Sequence, residues 1–406
     1  MKKKLLIGLG ALVASAAVLA SALPAQAYTP TVSGILYPPG VDPGDTWVGG
    51  AVTSDAKTYV VTDSNNPVGL WVIDVASNTA TAVTATPRAG QVIIDKAGAF
   101  AYAYGNHTSR NIYKIDLSTK TVVATWTDPA LTLNSSLQMI LSGDESSLYL
   151  VGYAGNYPAV APAVAKVNLA SGTIAQFTSG ATGNYVPGGA AYDTVSGHIF
   201  IPYKDSATGL VSGFQDFNTT ANTFSGVVWT GSGVLNACDL KSAVWVCLVD
   251  DTNPYITKID STGTATGTPL AVDAAVDDID SVTLTPDGSQ AYVFASGSVP
   301  GAGSKASAQV VDTAAMSSVT VLNFVFDYSN QVLLAPDAGQ IWFTADYFQD
   351  YDGGYQIVQF AEPKATLPDT GLDPTATAVT AVSLGAAGVL LLGLYRARRR
   401  AATSAK

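Results

Sequence analysis

Apolar residues in this chain come in short runs separated by polar turns, and the runs arrive in pairs. A first apolar run leads into a turn containing Asp, and the second run is built on one large aromatic. Short runs bounded by turn residues read as strands rather than helices. The pair is clearest from Ser281 to Ala295, SVTLTPDGSQAYVFA, which reads as strand, Pro-Asp-Gly turn and strand. It recurs as GAVTSDAKTYVV, QVIIDKAGAFAYAY, QMILSGDESSLYLV, GAAYDTVSGHIFIP, NACDLKSAVWVCLV and QVLLAPDAGQIWFT. The aromatics are Tyr59, Phe100, Tyr149, Phe200, Trp245, Tyr292 and Trp342. Their spacing is that of a propeller blade, roughly 40–50 residues.

Each unit continues the same way. A variable polar segment follows, then a third strand ending in Asp or Asn: LWVID, IYKID, VAKVN, FQDFN, ITKID and AQVVD. A small turn leads to a fourth short strand such as TVVATW or IAQFTS. The pattern predicts an all-β, seven-bladed β-propeller of four-stranded blades. Immunoglobulin-like sandwiches would instead repeat at roughly 100 residues with about seven strands each. The seventh unit stops at YQIVQF with no fourth strand. A spare strand, VSGILY from Val32 to Tyr37, precedes the first unit. It is expected to complete the last blade and close the ring, which removes an exposed sheet edge.

The residues TPDGSQAYVF, the AQVVD after them and the strands ITKID and IYKID resemble the seven-bladed propellers of the YVTN-repeat and lactonase-like superfamily. The resemblance covers residues 47–360 and implies the fold. Function does not follow from fold. A lactonase-like enzyme would need metal-binding acids around the central channel, where Asp277 or Asp278 could point.

The two ends carry their own signals. In residues 1–27 three lysines precede an apolar run that ends in Ala-Gln-Ala. This is the layout of a secretory signal peptide, with cleavage expected after Ala27. A retained membrane anchor is the alternative. At the other end Leu367, Pro368, Asp369, Thr370 and Gly371 precede a spacer and an uncharged stretch from Ala376 to Tyr395, then Arg-Ala-Arg-Arg-Arg. About 20 apolar or small residues span a bilayer, and the basic tail belongs on the cytoplasmic side. This ending resembles an LPxTG cell-wall sorting signal. The resemblance implies that a sortase cleaves between Thr370 and Gly371 and joins Thr370 to peptidoglycan. A plain transmembrane anchor is the alternative. The expected division is therefore a signal peptide at 1–27, the propeller at 28–366, the sorting motif at 367–371 and a removed segment at 372–406. Membrane contact would be transient, through 376–395 before sorting, and the address a Gram-positive cell wall.

The formal net charge is −11. Basic residues at the two ends mask a more acidic middle, which argues against nucleic acid and anionic membrane as partners. Abundant Gly, Thr, Val, Ser and Tyr favour strands and turns. Only Glu145 and Glu362 are Glu, and Asp prefers turns and caps to helix interiors.

Candidate chemistry is sparse. His107 and His198 are the only histidines, too few for a metal cluster built on several imidazoles. A Ser-His-Asp triad stays open by count, but no Gly-x-Ser-x-Gly elbow supports it. Clustered acids at Asp273, Asp277, Asp278 and Asp280, and at Asp346, Asp350 and Asp352, are calcium-ligand material. Neither run has the EF-hand spacing, and solvated loop charge is the plainer reading. No catalytic residue, metal or cofactor is assigned. Cys238 and Cys247, the only cysteines, flank one hairpin turn and are expected to face each other across the strands as a disulfide.

The segments between second and third strands share one end of the fold with the crossovers between blades. They are rich in aromatics: Tyr104; Tyr153 and Tyr157; Tyr203; Tyr255; and Tyr347, Phe348 and Tyr351. Tyrosine gives contact area at little entropic cost, with a hydroxyl to bond. These residues form the candidate ligand-binding face. The competing reading puts some of them at strand ends, packed between blades. The leading functional reading is a non-enzymatic, wall-anchored binding or adhesion module for a glycan or protein. The alternatives are a wall-bound lactonase-like or glycan-processing enzyme, and a structural wall protein.

Overall fold

The computed structural model describes residues 31–36 and 47–359, less short segments between strands, of which 296–306 and 346–353 are the largest. Every described element is a strand except one turn of 3-10 helix at Pro336–Ala338. The strands form six four-stranded antiparallel sheets and one of five strands, a β-propeller-like arrangement.

The sheets follow chain order. Sheet 1 holds Trp47–Val52, Thr58–Asp63, Leu70–Asp74 and Thr79–Ala82. Sheet 2 holds Ala89–Ile94, Phe100–Gly105, Asn111–Asp116 and Thr121–Thr127. Sheet 3 holds Gln138–Leu141, Ser147–Asn156, Ala159–Asn168 and Ile174–Thr178. In sheet 4 two short strands, Asn184–Tyr185 and Ala191–Asp193, share the edge of His198–Lys204, followed by Ser212–Asn218 and Thr223–Val228. Sheet 5 holds Val234–Lys241, Val244–Asp250, Tyr255–Lys258 and Leu270–Ala271. Sheet 6 holds Ile279–Leu284, Gln290–Ala295, Ser307–Asp312 and Ser317–Asn323. Sheet 7 holds Ser329–Ala335, Gln340–Ala345 and Gly354–Gln359, with Thr31–Leu36 outermost.

The N-terminal strand thus pairs with the third strand of sheet 7, running from Thr31 opposite Gln359 to Leu36 opposite Tyr355. It lies one residue earlier than the expected 32–37; Tyr37 and Phe360 fall outside the described residues. The pairing shifts register between Val32 and Ile35, across Ser33-Gly34. Glycine inside a strand commonly marks such a bulge.

Burial explains why the inner strands read as continuous apolar runs. In sheets 2 and 6 the second strands, Phe100–Gly105 and Gln290–Ala295, are buried along all but their first residue. Neighbouring sheets cover both of their faces, so neither face needs polar residues. The outermost strand Thr121–Thr127 alternates exposed and half-buried. Hydrophobic clusters fill the gaps between successive sheets. One joins sheets 1 and 2 through Val72, Val92 and Tyr113. Another joins sheets 7 and 1 through Trp342, Ala335, Tyr59 and Ile73. Six of the repeated aromatics are buried: Tyr59, Tyr149, Phe200, Trp245, Tyr292 and Trp342. Phe100 is half-buried, with the Lys114 Nζ 3.9 Å from its ring centre.

First strands of neighbouring sheets lie beside one another, sheet 1 next to sheets 2 and 7 among them. At Gly49 an added Cβ would sit 2.6 Å from the Gly90 carbonyl oxygen. The Thr62 hydroxyl bonds to the Gly49 and Gly90 carbonyls at 3.1 Å each.

The Asp or Asn that ends each third strand has a local job. Asp74 accepts from the Ser77 N–H, Asp116 from Ser118 and Thr119, Asn168 from Ala170 and Ser171, and Asn218 from Thr220 and Ala221. These side chains nucleate the turn to the fourth strand. Four residues after each, the backbone is left-handed: Asn78, Lys120, Gly172, Asn222 and, after Asp312, Met316. A side chain in that conformation costs about 1–2 kcal/mol, whereas glycine adopts it freely. Substitutions at two of these positions are therefore expected to have opposite signs. Lys120→Gly should raise stability by roughly 0.5 kcal/mol, relief of the backbone exceeding the loss of its 3.1 Å bond to Thr81. Gly172→Ala should lower it by more than that, because its Cβ would meet the Trp126 ring at 2.2 Å as well as straining the backbone. Urea denaturation of both variants checks the pair, and equal signs would refute the assignment.

Candidate functional site

The turns between first and second strands share one construction. In sheet 1 the Ala56 N–H bonds to the Thr53 carbonyl, and the Thr53 N–H bonds to the Thr58 carbonyl. The same pair of bonds recurs from Asp95 with Gly98, Ser142 with Glu145 and Thr285 with Gly288. A side-chain oxygen at the first position caps the backbone: the Thr53 hydroxyl accepts from Lys57 and Thr58, Ser142 from Ser147, Thr285 from Gln290, and the Asp95 carboxylate from Ala99 and Phe100. Two residues on, Asp55, Asp144 and Asp287 accept from those hydroxyls. Lys57 and then Thr53 hold the Asp55 carboxyl down at about 2. Ser142 and then Ser146 do the same for Asp144, also to about 2.

Bonds between sheets tie these turns together. The Ser54 hydroxyl bonds to Asp337 of sheet 7. The Lys96 N–H donates to Glu145 at 2.6 Å, and the Lys96 Nζ donates to the Gly143 carbonyl at 2.7 Å. Gln138 exchanges two 3.0 Å bonds with the backbone of Ala190. Asp239 accepts from the Leu284 N–H at 2.8 Å and lies 3.4 Å from the Lys241 Nζ.

At this end of the fold lies a cavity of about 360 Å³, lined by residues of sheets 1, 2, 3, 4, 5 and 7. Its apolar wall includes Val52, Ile94, Met139, Leu141 and Leu334. Its polar lining includes Asp95, Lys96, Gln138, Glu145, Tyr192, Asp239 and Lys241. Burial chiefly pushes the Tyr192 hydroxyl up from its ordinary pKa. The sequence reading singled out none of these as site residues. The signal was present nonetheless: the repeated Asp turns all occupy the same place in their units, so stacking the units gathers them at one opening.

The expected ligand-binding tyrosines lie at the other end of the strands, and one of them must be withdrawn. Tyr104 is only 2% exposed. The strand Phe100–Gly105 runs on through it, so its side chain enters the core with Leu131, Leu133 and Ala154 instead of standing in a loop. Its hydroxyl meets no hydrogen-bond partner among the described residues, and burial raises its pKa despite the nearby Arg110. Tyr153, Tyr203 and Tyr255 are half-buried, and each belongs to a strand: Ser147–Asn156, His198–Lys204 and Tyr255–Lys258. Tyr153 and Tyr255 also pack against core clusters. Tyr157, Tyr347, Phe348 and Tyr351 lie outside the described residues.

Cys238 and Cys247 stand directly opposite in the register of sheet 5 and are joined by a disulfide. Both are buried. The His198 Nδ1 donates to Asp216 at 2.7 Å. The Asn218 amide donates to its Nε2 at 3.1 Å. That amide cannot turn over, because its oxygen caps Thr220 and Ala221. The Ser225 hydroxyl reaches Asp216 and not the imidazole. The ring is thus bonded at both nitrogens, an arrangement that fastens sheet 4 and gives no Ser-His-Asp relay. His107, Asp277, Asp278, Asp346, Asp350 and Asp352 lie outside the described residues, and no metal-binding group of His, Cys, Asp and Glu occurs among those described. No described helix is long and apolar enough to cross a membrane. Residues 1–27, 367–371 and 376–395 fall outside the described part.

Residues 24–136 match a family described as a repeat of unknown function, DUF6923. No curated protein matches the chain. Among solved structures, the chain is similar to hydrazine synthase of Kuenenia stuttgartiensis, with a TM-score of 0.61 and 11% identity. The match covers 81% of this chain and 99% of that one. At that identity the likeness concerns the fold alone.

Proposed function

We propose that this chain is a non-enzymatic binding module, built as a seven-bladed propeller and displayed on a Gram-positive cell wall. Three observations support the ring. The sheets follow one another in sequence order, the N-terminal strand sits on sheet 7, and Tyr59 of sheet 1 packs on Trp342 of sheet 7 at 5.4 Å between ring centres. The observation that carries binding over catalysis is how the charged groups around the cavity are used. Glu145, Lys96 and Asp239 each bond to backbone of a neighbouring sheet. Groups tied in this way hold a surface in shape; rigid scaffolds of this kind present recognition surfaces at strand ends and loops. Tyr153, Tyr203 and Tyr255 remain on the proposed glycan- or protein-binding face, together with Tyr157, Tyr347, Phe348 and Tyr351.

Display rests on the sequence of the two ends. The sortase would act at Leu367 to Gly371 and leave Thr370 on peptidoglycan. In cells carrying Thr370→Ala, the protein is expected to leave the wall fraction and become extractable by boiling detergent. A mutant as resistant as wild type would sink the sorting assignment. Binding is tested with the purified chain on an array of glycans and matrix proteins. The triple change Tyr157→Ala, Phe348→Ala and Tyr351→Ala, on protein that melts as wild type does, should abolish a positive signal, and binding that survives it would place recognition elsewhere.

A further inference from the structure

The cavity at the first-to-second turns lies at the opposite end of the strands from the tyrosines, so it is a separate site. We propose that it binds a small zwitterion with an apolar body, the chemical class of free amino acids and short linear peptides. The size fits: about 360 Å³ is at the small end of ligand pockets. The lining fits too. Met139, Leu334 and Ile94 supply an apolar wall, while Asp95, Glu145, Lys96 and Lys241 bring both signs of charge to the same space. A simple cation would meet the lysines there, and a simple anion would meet the carboxylates. A molecule carrying both charges satisfies both, and its carbon body covers the wall.

The carboxylates retain capacity for a ligand. Asp95 spends one oxygen, Oδ1, on the Ala99 and Phe100 N–H groups. Glu145 spends one oxygen, Oε1, on the Lys96 N–H. On the sheet 5 side, Lys241 has 39% of its side chain exposed. The ligand ammonium is therefore assigned to Asp95 and Glu145, and its carboxylate to Lys241.

The backbone at Glu145 carries a side chain where the matching turns of sheets 2, 6 and 7 have glycine. It is left-handed, with φ of 55°. Gly98, Gly288 and Gly339 hold the matching turn position in sheets 2, 6 and 7, and the left-handed Ala56 holds it in sheet 1, each bonding back to a carbonyl three residues earlier as Glu145 does. A side chain there is a structural cost that glycine avoids.

The test is calorimetric titration of the purified full chain with the dipeptide Leu-Leu. Two capped versions, N-acetyl-Leu-Leu and Leu-Leu amide, and the sugar maltose serve as comparisons. Saturable binding of Leu-Leu is expected, with each cap weakening it about tenfold or more, a loss typical of one charged contact. Glu145→Gln should weaken Leu-Leu by a similar factor yet leave the acetylated peptide unaffected. Lys241→Gln should behave the same way toward the amide. Glu145→Gly adds a second readout: binding should fall while the melting temperature changes little, because relief of the left-handed turn offsets the loss of the 2.6 Å bond from the Lys96 N–H. No saturable binding at millimolar Leu-Leu would overturn the proposal. So would capped peptides that bind as well as the parent, maltose binding in its place, or a Glu145→Gly variant that binds normally.

Discussion

Trp342→Ala is expected to cost about 3–5 kcal/mol, the range for emptying a buried large aromatic. Trp342 is fully buried between sheets 7 and 1, against Tyr59, Val61, Ile73 and Ala335. Its ring lies 5.4 Å from that of Tyr59, and its indole N–H donates to Gln340 at 2.9 Å. The substitution would leave a cavity and remove an aromatic pair worth about 0.5–1.5 kcal/mol beyond its area. The surroundings are strands fixed by their own ladders, so collapse into the space is limited. Trp126→Ala is the comparison. That residue is half-buried on an outermost strand and stacks on Tyr102 at 6.3 Å. It should cost well under half as much. Denaturant midpoints measure both. Equal losses would mean that the contact between the last and first sheets is no stronger than the rim.

Deleting residues 28–37 is expected to lower stability by several kcal/mol. The deletion removes Thr31–Leu36 and strips the third strand of sheet 7, Gly354–Gln359, of its outer partner. The freed edge carries unpaired backbone groups, which favour pairing between molecules. The truncated chain should therefore melt earlier and aggregate on heating. A synthetic peptide of residues 28–37 should restore the melting temperature when added in excess, because it binds only the folded state. An unchanged melting temperature on deletion would show that this strand adds nothing to the fold.

The pairing of the N-terminal strand with sheet 7 is legible in the sequence. The missing fourth strand after YQIVQF and the spare VSGILY were visible as a deficit and a surplus. Antiparallel pairing needs only complementary strand chemistry, so the match between them could be read, although the observed strand sits one residue earlier. The opposition of Cys238 and Cys247 was readable because a hairpin turn fixes register. Tyr104 shows where such reading stopped. Nothing local distinguishes the last turn-facing residue of a strand from the first of a loop. Its burial depends on Leu131 and Leu133, which arrive from the crossover into sheet 3. Tyr153, expected in the segment between strands, lies within one for a related reason: its strand and the next run for ten residues each, farther than the apolar pattern implies.

The sequence by itself determined what short-range chemistry can specify. Apolar runs set the strands, and Asp74, Asp116, Asn168 and Asn218 set their turns through bonds reaching only two or three residues. Tertiary structure decided which faces are covered and what gathers at the strand ends. The cavity exists only because side chains from six sheets converge on it, and Lys96 and Glu145, 49 residues apart, meet only when sheets 2 and 3 pack side by side. A contact of that range is set by how whole sheets stack, and no local pattern encodes it.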